Sequence, residues 1–87
     1  MNTKRCKHAI VAEILQSVSR EGGATKKTIF EEDTKLNYNY GNKLLNKLIE
    51  KDLVITDRPG RRGAKYRLSW WGEGWLKFYT SINNELL

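Results

Sequence analysis

The sequence contains only one cysteine, Cys6, and one histidine, His8, among its 87 residues. A single cysteine excludes an intramolecular disulfide, and one Cys–His pair supplies half of the four ligands of a structural zinc site. The same shortage leaves Ser–His–Asp, Cys–His and zinc-hydrolase sites without the members they need. We therefore expect no metal, no cofactor and no enzyme activity.

The chain also lacks long apolar runs, internal repeats and a Pro/Ser-rich linker. No run approaches the roughly 18 apolar residues that span a membrane, and no apolar segment of the signal-peptide type follows the basic start. These absences favour an intracellular protein of the cytoplasm or nucleoid, with no membrane partner. In 87 residues we expect one domain, with a core over about 6–69 and a helix over about 70–87, and no room for a small-molecule sensor.

Positive charge exceeds negative charge, with 16 Lys and Arg against 10 Asp and Glu and a net charge of +6. The excess is concentrated, because residues 1–8 carry +3, residues 34–49 carry +3 and residues 58–67 carry +5. A clustered positive balance indicates a polyanionic partner such as nucleic acid.

Three segments near the N-terminus have helical periodicity. The first runs from about Cys6 to Arg20 and ends at two glycines. The second begins at Thr25, a candidate N-cap, and the third follows a very short turn, with Asn37 as its N-cap. Two helices so closely spaced predict a helix-turn-helix.

The period changes after the third predicted helix. Residues 53–56 and 65–69 have strand character, and the Pro59-Gly60 step and Gly63 between them are typical of a turn. Helical spacing then returns after Ser69, another N-cap candidate. The predicted fold is mainly α with a small β-hairpin (α+β), a winged helix-turn-helix with an added C-terminal helix.

The stretch from about Thr28 to Leu76, a little over half of the chain, has a pattern built largely from core positions: Leu36-Asn37-Tyr38, Leu44-Leu45, Leu48, Leu53-Val54-Ile55, Tyr66-Arg67-Leu68-Ser69, Gly72 and Leu76. In these residues it resembles the small winged-helix transcription regulators of archaea, including the Sso10a-like group. Gly41 departs from their pattern, since they usually carry a larger apolar residue there and glycine costs about 1 kcal/mol inside a helix. The resemblance implies DNA binding, commonly as a homodimer joined through the C-terminal helix.

The third predicted helix has a polar face without a carboxylate between residues 34 and 49. Asparagine is a poor helix former, so three of them on one face bring no evident folding benefit. In the major groove asparagine bonds adenine, lysine reaches guanine or phosphate, and tyrosine contacts phosphate or a thymine methyl. A solvated polar face is the alternative. The candidate DNA-binding residues are Tyr38, Asn39, Tyr40, Asn42, Lys43, Asn46 and Lys47.

Positively charged residues are also concentrated in the predicted hairpin tip, which we call the wing. Because arginine is suited to the narrow minor groove of DNA, we expect the wing to bind there. The alternative is a solubilising loop, and Arg67 is expected either to join the cluster or to cover the core. Weaker candidates for backbone contact are Lys26 and Lys27 at the start of the second helix, and Lys4 and Arg5 in a basic arm. The wing candidates are Arg58, Arg61, Arg62 and Lys65.

The C-terminal segment is nearly neutral and rich in aromatic residues. Its apolar arc is wider than a single core would cover, which favours a partner helix from a second copy. The alternative is that this helix folds back onto its own domain. The candidate dimerisation residues are Trp71, Trp75, Phe78, Tyr79, Ile82 and Leu86.

Together these features predict a sequence-specific, double-stranded-DNA-binding transcription regulator, with the third helix in the major groove and the basic wing in the minor groove. Two alternatives stay open. One is an architectural, chromatin-like protein that coats DNA with little sequence preference. The other is a winged-helix protein–protein adaptor that uses its Trp-rich helix.

Overall fold

The computed structural model describes residues 7–58 and 63–86, with side chains described as far as residue 82. The second predicted helix corresponds to a short π-helical segment and the third to a regular α-helix. The predicted mainly α fold with a β-hairpin and a C-terminal helix is confirmed. In chain order the elements are helix α1 (Lys7–Val18), the π-helical segment (Thr28–Asp33), helix α2 (Tyr38–Glu50), strands β1 (Val54–Thr56) and β2 (Tyr66–Leu68), and helix α3 (Trp70–Leu86).

Helix α1 supplies one side of the core. Its apolar residues recur at helical spacing, and Ile14, Leu15 and Val18 are fully buried. The helix ends before Gly22 and Gly23, which both have positive φ, 84° and 82°. The chain then turns back to pack α1 against the π-helical segment, α3 and β2.

The second predicted helix is wound more widely than an α-helix. The backbone N–H and the hydroxyl of Thr34 both donate to the carbonyl of Ile29, at 2.9 and 2.7 Å. A bond from residue i+5 back to residue i closes a π-turn. At the other end the predicted cap, Thr25, accepts from the N–H of Thr28 at 3.4 Å. The wide turn still buries Ile29 and Phe30 in the core.

Helix α2 begins at the cap that the sequence predicts. The side chain of Asn37 accepts hydrogen bonds from the N–H groups of Asn39 and Tyr40, which satisfies two donors that have no partner inside the helix. The face turned to the core consists of Gly41, Leu44, Leu45 and Leu48, all buried.

Gly41 is explained by its neighbour in the π-helical segment. A Cβ at this position would lie 2.7–2.9 Å from three atoms of the Phe30 ring. The ring therefore fills the space that a larger residue would need. The departure from the archaeal pattern is a packing solution in which α2 and Phe30 approach closely.

The hairpin and α3 close the domain. Ala24 adds a bridge to β2, with hydrogen bonds of 3.0 and 2.8 Å to Tyr66. Ser69 caps α3 as predicted, because its hydroxyl accepts from the N–H of Gly72 at 3.0 Å, and a Cβ on Gly72 would lie 2.2 Å from the carbonyl oxygen of Leu53. The antiparallel register pairs Val54 with Leu68, Ile55 with Arg67, and Thr56 with Tyr66.

Substitution of Gly41 by alanine tests the contact with Phe30. Although alanine favours helix, we expect Gly41→Ala to lower the free energy of unfolding by about 1–3 kcal/mol, because the new methyl group overpacks the ring. Gly74→Ala is the matched control, since nothing lies within 4 Å of a Cβ there, and it should raise stability by about 0.5–1 kcal/mol. Urea unfolding followed by circular dichroism measures both, and equal stabilisation by the two variants would contradict the contact.

Candidate nucleic-acid interface

Most of the polar face predicted on α2 is open to solvent. The amide and lysine side chains project from the side of the helix opposite Leu45 and Leu48. Glu50, at the last position of α2, is the first carboxylate met along this helix. Apart from Tyr38, which is described below, the exposed candidates are Asn39, Tyr40, Lys43, Asn46 and Lys47.

Asn42 differs from these five because it is only partly exposed. Its Oδ1 atom is buried and has no hydrogen-bond partner among the described residues. A buried carbonyl oxygen without a partner costs about 1–3 kcal/mol. Asn42 therefore lies at the border of the polar face and carries a folding cost that an apolar residue would avoid.

Tyr38 is held by the π-helical segment. Its hydroxyl donates to Oε2 of Glu31 at 2.7 Å, and its ring lies edge-on against Phe30 with centroids 5.3 Å apart. The hydrogen bond to Glu31 raises the pKa of Tyr38 above its usual value, and the negative charge of that carboxylate acts in the same direction. The hydroxyl predicted to contact DNA is thus already bonded in the free protein.

The described part of the hairpin carries exposed cations. Arg58 and Lys65 are both exposed where the chain leaves and re-enters the hairpin, and the N–H of Lys65 donates to Oδ1 of Asp57 at 3.4 Å. Arg67 is exposed on the outer face of β2, paired in register with Ile55. Arg61 and Arg62 lie outside the described residues.

A groove of about 500 Å³ lies between residues 25–27, just before the π-helical segment, the start of α2 and the hairpin. Lys26 projects into this region with its ammonium 5.9 Å from the centre of the Tyr66 ring, a distance at which cation–π attraction operates. The hairpin and the first turn of α2 are therefore neighbours. The residues that line the groove are Thr25, Lys26, Lys27, Tyr38, Gly63, Ala64 and Tyr66.

The start of α1 lies beside the other edge of the α2 face. Lys7 shares a shallow groove of about 420 Å³ with Tyr40, Lys43 and Lys47. Lys4 and Arg5 precede this point and lie outside the described residues. The basic residue Lys7 thus extends the positive face of α2.

The six predicted dimerisation residues divide into two groups. Trp75 and Tyr79 are partly buried and stack on each other with centroids 5.3 Å apart, and Trp75 also stacks on His8 of α1. Trp71 and Phe78 are 64% and 67% exposed, and Ile82 is exposed beside them. The side chain of Leu86 lies outside the described residues.

The exposed part of α3 has a groove of about 630 Å³ between α3 and residues 51–53. Trp70, which is not one of the predicted dimerisation residues, is 74% exposed and packs edge-on against Trp71, with centroids 4.7 Å apart. The free aromatic face therefore consists of Trp70, Trp71, Phe78 and Ile82.

Glu31, which lies in the acidic run of residues 31–33, is not among the predicted site residues. The sequence shows the charge of Glu31 but not its partner. Tyr38 lies seven residues further along the chain, beyond the turn between the π-helical segment and α2, and no local sequence pattern indicates such a pair. Asp33 from the same acidic run accepts from the Ser17 hydroxyl at 2.6 Å and pairs with Arg20.

Residues 7–58 and 63–86 contain neither a metal-ligating cluster nor a membrane-spanning helix. No group of three or more His, Cys, Asp or Glu side chains in these ranges is arranged to hold a metal ion. No helix in the same ranges has the length and apolar character of a membrane span.

Comparison with known proteins places this geometry in a family. No curated protein and no solved structure matches the chain. A family model described as winged helix-turn-helix matches residues 4–86, nearly the whole sequence. The chain therefore belongs to the winged helix-turn-helix family, a DNA-binding and non-enzymatic kind of domain.

Proposed function

We propose that the protein is a sequence-specific transcription regulator that inserts α2 into the major groove of double-stranded DNA and the hairpin tip into the adjacent minor groove. The observation that carries the proposal is the α2 face, on which exposed amides and lysines stand without a carboxylate before Glu50. Such a face presents the groups that read base edges and bind phosphate. A duplex target also implies an intracellular location.

The amides and lysines have distinct tasks in this proposal. Asn39 and Asn46 are exposed and match the donor and acceptor pattern of adenine. Lys43 and Lys47 lie next to them and bind guanine or phosphate oxygens. The N-terminal part of such a helix contacts base edges in other helix-turn-helix proteins, which fits the position of Asn39 one turn before Lys43.

The acidic residues of the π-helical segment are compatible with a DNA-facing surface. Asp33 is directed toward α1, where Ser17 and Arg20 bond its carboxylate. Glu31 is bonded to Tyr38. In the hairpin, exposed Lys65 lies between Ala64 and Tyr66, which line the groove together with Tyr38, Lys26 and Lys27, and this supports a positive potential near the start of α2.

We also propose a homodimer in which the free aromatic face of α3 packs against its equivalent in a second copy. Three exposed aromatic rings and Ile82 on one helix form the kind of apolar surface that marks an interface. A two-fold dimer would place two half-sites about 34 Å apart along DNA. The resemblance to the archaeal regulators supports the same arrangement.

Selection of bound duplexes from a random DNA pool tests sequence specificity. We expect enrichment of a palindromic site, and we expect Asn46→Ala to relax the preference at one base pair of each half-site by about 1–3 kcal/mol. Enrichment of no sequence, with binding retained, would support the architectural alternative. Absence of binding would support the adaptor.

The salt dependence of duplex affinity tests whether the α2 lysines contact phosphate. Because phosphate contacts release counterions, affinity should fall steeply between about 50 and 200 mM salt. Lys43→Ala should lower affinity and reduce the slope of log affinity against log salt by about 1. Lys77→Ala removes the same charge from α3 and should leave the slope unchanged. An affinity that is flat over this range would contradict the proposal.

Sedimentation equilibrium tests the role of α3. Phe78→Glu places a charge in the free aromatic face and should shift the protein to monomer, whereas Thr80→Glu adds the same charge on the opposite side of the helix and should not. Both side chains are exposed, so neither change is expected to unfold the domain. A wild-type protein that is monomeric at micromolar concentration would rule out the proposed dimer.

A further inference from the structure

The hydrogen bond between Tyr38 and Glu31 places a carboxylate on a residue at the edge of the DNA-facing surface. Oη of Tyr38 lies 2.7 Å from Oε2 of Glu31, and both residues are exposed. We propose that Glu31 competes with a DNA backbone phosphate for the Tyr38 hydroxyl and so reduces the affinity of the protein for duplex DNA. The inference rests on the proposed function, because it names a contact of the same interface.

The Tyr38 ring is fixed independently of Glu31. It lies edge-on against Phe30, which is only 1% exposed. The start of α2 is held by the Asn37 cap and by a 3.0 Å bond from the N–H of Leu36 to the carbonyl of Phe30. Loss of the Glu31 contact therefore frees the hydroxyl without releasing the ring or the helix.

The surroundings of Tyr38 favour an anion. Tyr38 lines the groove that Lys26 and Lys27 also line. No ion pair of either lysine occurs among the residues that the structure describes, although Lys26 lies over the Tyr66 ring. A phosphate oxygen at this groove would meet two ammonium groups as well as the hydroxyl, and these together suit a phosphodiester.

The exchange is chemically simple. The hydroxyl proton stays on Tyr38 throughout, and only the acceptor changes from a carboxylate oxygen to a phosphate oxygen. Glu31 can then turn into water, because its side chain is exposed and an exposed contact of this kind contributes little to folding.

Two neighbouring carboxylates allow a matched comparison. Glu32 is exposed on the same segment and adjoins Glu31 in sequence, but only Glu31 bonds Tyr38. Glu31→Ala and Glu32→Ala remove the same charge and the same side-chain length. A difference between them therefore reports the Tyr38 contact rather than net charge.

Fluorescence anisotropy measures the DNA affinity of each variant at one fixed salt concentration. The probe is a labelled mixed-sequence duplex of about 20 base pairs, which is two turns of DNA. We expect Glu31→Ala to tighten binding about three- to tenfold, and Glu32→Ala to tighten it less than about twofold. In a Tyr38→Phe background the two variants should become equivalent, since no hydroxyl is left to release.

Three outcomes would overturn the inference while leaving the proposed function intact. Glu31→Ala could weaken binding, which would make Glu31 a positioning residue for α2. The two alanine variants could tighten binding equally, or their difference could persist in Tyr38→Phe. Failure of the wild-type protein to bind any duplex would instead overturn the proposed function itself.

The contact can also be followed in the free protein. The hydrogen bond to Glu31 raises the pKa of Tyr38, so Glu31→Ala should lower that pKa toward the ordinary tyrosine value and Glu32→Ala should not. NMR titration of protein with ¹³C-labelled tyrosine rings measures the Tyr38 pKa in each of the two variants. An unchanged Tyr38 pKa in Glu31→Ala would show that the contact does not exist in solution, and the inference would fail.

Discussion

The contact between the Phe30 ring and the bare backbone of Gly41 determines how α2 is presented. The face of a helix that its packing leaves uncovered is the face exposed to solvent. At Gly41 the backbone of α2 lies so close to the π-helical segment that a Cβ would come within 2.7–2.9 Å of the Phe30 ring. The same ring supports Tyr38 at the edge of the polar face. Because one buried side chain contacts both residues, the rotation of α2 about its axis and the position of its first turn are set together. The amides and lysines face outward as a consequence.

A second junction connects this face to α3. After α2 the chain passes through Asp52 and Leu53, where the N–H of Leu53 donates to the carbonyl of Leu48 and the Leu53 carbonyl accepts from the N–H of Ser69. The Ser69 hydroxyl bonds the carbonyl of Asp52, and Gly72 packs directly on Leu53. The helix that would read DNA and the helix that would join two copies therefore meet at one short, hydrogen-bonded segment. In a dimer, this segment would fix the distance between the two α2 faces.

Interactions between residues close in the sequence could be predicted, whereas contacts between different helices could not. The caps at Asn37 and Ser69 were predicted because a cap acts on backbone groups two or three residues away. The π-turn was predicted as an ordinary helix. The two hydrogen bonds from the N–H and the hydroxyl of Thr34 to the carbonyl of Ile29 change the winding of the backbone but leave the spacing of the apolar residues unchanged. The helical spacing predicted the aromatic arc of α3 but not its division, because Trp75 packs against the core and stacks on His8 while other members of the arc stay exposed. Glu31 with Tyr38 is a pair of the same non-local kind.

Helix α2 carries several features that reduce the stability of a small domain. Its interior has a glycine and three asparagines, which are poor helix formers, and Oδ1 of Asn42 is buried without a partner among the described residues. Gly41 is accounted for by Phe30, but among the described residues no side-chain hydrogen bond of the three asparagines offsets their cost, and Asn39 and Asn46 are exposed to solvent. Glutamate or alanine would serve folding better at the exposed positions. The free protein therefore leaves the amides of this face without hydrogen-bond partners among the described residues, and in the proposed complex a DNA duplex would supply them.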